Sequence, residues 1–75
     1  MKYAAACIVG GVVHDVDTAL ILCDTWGPYL TAGRLTLLRI REDDKTQISR
    51  YSTIDALRRD LLLIQSDPNH TKDKL

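Results

Sequence analysis

Arginine is the residue type with which this chain could do the most. Between positions 34 and 59 lie seven basic residues against four acidic ones, and six of the seven are Arg34, Arg39, Arg41, Arg50, Arg58 and Arg59. The segments on either side are net negative, so a chain with no formal net charge still has a basic middle. A guanidinium presents a rigid fork of donors that matches phosphate oxygens, carboxylates and guanine edges. Three of these groups, Arg39, Arg41 and Arg50, are predicted to share one face of a two-stranded ribbon, able to hold a nucleic-acid backbone or an acidic protein. Arg34, Arg58 and Arg59 would extend that patch. The plainer alternative is a solvated face in which the arginine stems cover apolar neighbours or pair with acids from the N-terminal half.

Other combinations are weaker. His14, Asp15 and Asp17 contain donors for a divalent metal, but a segment of this composition is first of all a polar turn. Cys7 and Cys23 fall in apolar stretches where a thiolate is disfavoured, and no serine sits in a Gly-x-Ser-x-Gly setting. Asp43 and Asp44 form a carboxylate pair on a loop tip, without the enclosure that acid/base chemistry needs. Gly10-Gly11 is not followed by the Lys-Ser/Thr of a phosphate loop. No enzyme, metal site or cofactor is expected. Trp26 and Tyr29, around Gly27-Pro28, could stack on a base or a proline-rich peptide, although the sole Trp is better placed as a core residue.

The elements that would carry these residues follow from patterning. A chain of 75 residues that is 45% apolar and 27% charged is one small folded domain rather than a disordered one. Its small or β-branched residues from Ala4 to Val13, broken by Gly10-Gly11, predict a strand with a bulge or a close backbone approach. His14 to Asp17 predict a turn, and Thr18 to Asp24, apolar on both alternating faces, a second strand, with helix the alternative over 17 to 24. A hairpin centred on Asp15 would set Cys7 across from Cys23, leaving a disulfide open. Leu35 to Arg41 and Thr46 to Tyr51 flank a four-residue polar loop and predict a hairpin with Arg41 opposite Thr46, Arg39 opposite Ile48 and Leu37 opposite Arg50. That register leaves Leu38, Ile40 and Tyr51 for a helix to cover. The helix should run from about Thr53 to about Gln65, capped by Ser52 or Thr53, with Ile54, Leu57, Leu61 and Ile64 on its buried stripe.

The fold expected is α+β: an antiparallel sheet of about four strands in ββββα order, with one C-terminal helix on one face, spanning 1–67 and followed by a flexible polar tail, 68–75. One helix cannot shield both faces of such a sheet, so a homodimer is expected. The longest uncharged run, Tyr3 to Val13, falls short of the roughly 20 residues that span a bilayer, and no cleavable leader is evident, which points to the cytoplasm. Two functions follow. One is a small non-catalytic regulatory or adaptor protein that binds nucleic acid or an acidic partner through its arginines. The other is a homodimeric protein-interaction module that docks through Leu62, Leu63, Leu20 and Leu22 and binds no nucleic acid.

Overall fold

In a computed structural model, residues 2–30, 35–41, 43 and 45–71 are described. The chain runs β1 (Tyr3–Val9), β2 (Val12–His14), α1 (Val16–Trp26), a single 3-10 turn (Gly27–Tyr29), β3 (Leu35–Arg41), β4 (Thr46–Tyr51) and α2 (Ile54–Gln65). The strands form one antiparallel sheet in the order β2-β1-β3-β4, so the fold is α+β with a four-stranded sheet. The element order is ββαββα rather than ββββα. A ββα unit thus occurs twice, and the strand order relates the two units by an approximate two-fold axis normal to the sheet, which keeps both helices on one side.

The first correction lies at Gly10-Gly11, which turn the chain instead of bulging it. Both have positive φ, 59° and 83°, the combination a tight two-residue hairpin loop requires and glycine supplies without steric cost. The hairpin is therefore centred between the two glycines, and Cys7 faces His14. With β2 ending at His14, the segment expected as a second strand is free to coil. Asp15 accepts the Thr18 N–H at 2.8 Å and caps α1. Val16, Ala19, Leu20 and Cys23 then fall on one buried stripe at helical spacing. Cys7 and Cys23 are both buried, free thiols.

The second correction is one of register. The strands β3 and β4 have the expected bounds, but Ile40 faces Thr46, Arg39 faces Gln47, Leu37 faces Ser49 and Leu35 faces Tyr51, one residue away from the expected pairing. The loop explains the difference. Arg41 N–H bonds to the Lys45 carbonyl at 3.1 Å, and the Asp43 carboxylate accepts from Lys45 N–H and from the Arg41 guanidinium, both at 3.2 Å. Closing the loop at Lys45 puts Tyr51 on the same face as Leu35 and Leu37. In the expected register it would lie on the other.

That shared face is the core. Ala5, Cys7, Val9, Leu35, Leu37 and Tyr51 from the sheet meet Val16, Ala19, Leu20 and Cys23 of α1 and Leu57, Leu61 and Ile64 of α2. The second helix matches its expected buried stripe, and Thr53 caps it by accepting from Ala56 N–H at 3.2 Å. Trp26, expected in the core, is 53% exposed at the end of α1, where it meets the exposed Tyr29 edge-on with ring centroids 6.2 Å apart. The start of the expected flexible tail is tied down: Tyr3 N–H bonds to the Asn69 carbonyl at 3.0 Å and Thr71 N–H to the Tyr3 carbonyl at 2.9 Å, making a short parallel bridge beside β1. The remainder of that tail, 72–75, lies outside the described residues.

Candidate functional site

The register decides where the arginines go. Strand alternation keeps Arg39 and Arg41 on the helix-covered side of the sheet and sends Arg50 to the other, so the three-arginine face does not form. Each of the others has its own surroundings. Arg39 is half-buried and donates to Ser49 Oγ at 3.3 Å, and Arg41 pairs with Asp43 at 3.2 Å. Arg58 reaches from α2 to Asp24 of α1 at 2.8 Å, which pins the two helices together. Arg59 lies in a shallow depression of about 460 Å³ with Asp55, Arg58, Leu62, Leu63 and Ser66. Arg34 is outside the described residues.

Arg39 and Arg41 line an open groove of about 390 Å³ with Tyr3, Gln47, Leu63, Ile64 and Asp67. Its charges balance, because Asp43 is paired to Arg41 and Asp67 stands within the groove itself. Tyr3 donates its hydroxyl proton to Asp67 Oδ2 at 2.6 Å, and Tyr51 does the same to Asp60 Oδ2 at 2.5 Å, so two Tyr–Asp bonds tie α2 and the segment after it to the sheet. Burial, reinforced by the bond to Asp67, pushes the Tyr3 hydroxyl up to about 12, while the same bond and the Asn69 N–H hold the Asp67 carboxyl below its ordinary value. Burial and the bond to Asp60 likewise raise Tyr51. These are the marks of a latch within the fold, and the groove offers an incoming anion no net positive field.

Of the candidate His14, Asp15 and Asp17, the histidine ends β2 opposite Cys7 and the two aspartates have structural partners. Asp15 is a helix cap, and Asp17 accepts from Gln65 Nε2 at 2.9 Å. Among the described residues no group of three His, Cys, Asp or Glu side chains is placed to hold a metal. Burial pushes the Cys7 thiol up to about 11 and raises that of Cys23, so neither supplies a thiolate near neutral pH.

What the sheet does offer is its outer face, over which no described helix or strand lies. Val13 of β2, Ala4, Ala6 and Ile8 of β1, Thr36, Leu38 and Ile40 of β3, and Thr46, Ile48 and Arg50 of β4 form it by alternation. Only Arg50 is charged. Val13 is 59% and Ile48 55% exposed, at opposite edges of the sheet, with Leu38 and Ile8 half-buried between them. The expected apolar contact residues fare unequally. Leu62 and Leu63 are exposed on α2, Leu22 is half-buried, and Leu20 belongs to the core at 7% exposure, which removes it from any docking surface. The signal for the outer face was present in β3, whose Leu35-Thr-Leu-Leu-Arg-Ile40 run places apolar side chains on both sides.

No protein family model, curated protein or solved structure matches this chain. Among the described residues, no helix is long and apolar enough to cross a membrane.

Proposed function

We propose that the protein is a non-catalytic interaction module whose working surface is the outer face of the sheet, and that a second copy of the chain covers it. The observation that carries this reading is the placement of both helices on one side of a sheet that is apolar on both. A face with one charge in ten residues suits an equally uncharged surface and offers little to a phosphate backbone. A copy of itself has that character, and an isologous pair would form a four-layer stack with helices outside and sheets within. The free, buried thiols fit the cytoplasm, where such an assembly would remain reduced.

The four strands hold 23 residues, each covering about 4.8 by 3.4 Å of the sheet, which gives the face a projection of roughly 380 Å². That is small beside the about 800 Å² per partner of a standard interface, so association in the micromolar range is expected. Light scattering at tens of micromolar tests it. The wild-type particle should have at least twice the chain mass of 8.4 kDa, and Leu38→Glu, which puts a charge at the centre of the face, should halve the particle mass while leaving the circular dichroism unchanged. A wild-type particle of one chain, or a Leu38→Glu particle of undiminished mass, overturns the reading.

A further inference from the structure

The two edges of the sheet are finished differently. At one edge β2 has only three residues, and the segment 69–71 bonds to β1 beyond it. At the other, β4 offers six residues in unbroken register with β3, with no proline and one charge, and no described residue pairs with its outer side. Natural sheets guard such edges, or use them.

Hydrogen-bond directions along β4 follow from its partners. The Arg41–Lys45 bond shows that Arg41, and by alternation Arg39, Leu37 and Leu35, turn their backbone groups toward β4. Their partners Gln47, Ser49 and Tyr51 face inward in return, which leaves the N–H and C=O of Thr46, Ile48 and Arg50 pointing outward.

We infer that β4 is a second self-association surface, at which the strand pairs antiparallel with β4 of another copy, Ile48 opposite Ile48 across a two-fold axis. The strand's own chemistry selects this register. It sets Thr46 opposite Arg50 and Gln47 opposite Ser49, so all outward backbone groups find partners and no like charges meet, whereas a register centred on Arg50 would oppose two guanidiniums. Apolar surface flanks the edge on both sides: Ile48 on the outer face, and on the helix side Leu63, 64% exposed, which shares the groove with Gln47. Pairing brings each of these toward its copy. The inference is independent of the outer-face reading. Together, two perpendicular isologous contacts would close a tetramer where their axes intersect, and either alone gives a dimer.

Cross-linking tests the register directly. Gln47 and Ser49 lie on the helix-covered side of the sheet, out of reach of a copy docked on the outer face. A mixture of Gln47→Cys and Ser49→Cys chains under mild oxidation should give the mixed disulfide, while Lys45→Cys chains alone, in phase with them on the helix-covered side but with their two copies six residues out of register, should give none. The native Cys7 and Cys23 are buried and do not compete. Arg50→Pro removes an outward N–H and no bond to β3, so the folded variant should have half the particle mass, and Arg50→Thr should keep the full mass. Failure of the mixed disulfide to form, or an Arg50→Pro particle of unchanged mass, overturns the pairing. Loss of the outer-face contact in Leu38→Glu with the mixed disulfide retained would show that the two surfaces are separate.

Discussion

On β3, Leu35 and Leu37 point toward the helices and are shut away from solvent, while Leu38 and Ile40, one residue out of phase, point to the other side and keep part of their surface in water. The two faces draw on the same apolar residue types. They differ in what the rest of the chain supplies. Each helix follows a hairpin, and the near-symmetry of the two ββα units places both on the same side, where small side chains such as Ala5 and Ala19 share the core with the leucines. An apolar residue on a strand is therefore committed to the core by the topology around it and not by its own hydrophobicity. What is left uncovered on the far side is surface that a partner can use.

The sharpest test of this contrast exchanges the same side chain on adjacent residues. Leu37→Ala should cost about 2–5 kcal/mol, as cavity-forming changes in a packed core do, whereas Leu38→Ala should cost the dissociated chain about 1 kcal/mol or less. Urea unfolding at sub-micromolar concentration measures both, and equal losses would erase the distinction between the faces.

A smaller effect separates the faces by pH. Cys7 ionises near 11 in the folded chain, against an ordinary value of 9. Its contribution is thus fully present below pH 9, where both states hold the proton, and is lost as the pH rises from 9 through 11, because only the unfolded thiol has ionised. The urea midpoint should fall across that window, and Cys7→Ala should flatten the Cys7 part of the fall. The residual slope would come from Cys23, whose window also opens at pH 9, and from Tyr3 and Tyr51, whose windows open at pH 10.

How much of this was legible in the sequence depends on whether a local signal had a rival. The bounds of β3, β4 and α2 were readable because alternation, a polar loop and the Thr53 cap agree. The run Thr18–Asp24 was ambiguous, since a short apolar stretch fits strand and helix alike, and Asp15, read as a turn residue, is the cap that settles it. The register slipped by one because the polar loop permits two closures. The decision rests on the Asp43 carboxylate and on the need to bury Tyr51, which are tertiary facts. That single residue is why Arg39 and Arg41 stay together while Arg50 leaves them. Size alone points Trp26 to the core, but a core filled by leucine, alanine and cysteine does not use it.

Self-association through the sheet requires its outer face to be covered in solution. Methyl resonances of Leu38, Ile40 and Ile48, recorded with a soluble paramagnetic agent, measure that directly. At tens of micromolar their relaxation should approach that of the core Leu37 and rise on dilution as the copies part. Relaxation that is strong at every concentration would mean that water covers the face, and the self-association proposed for it would be wrong.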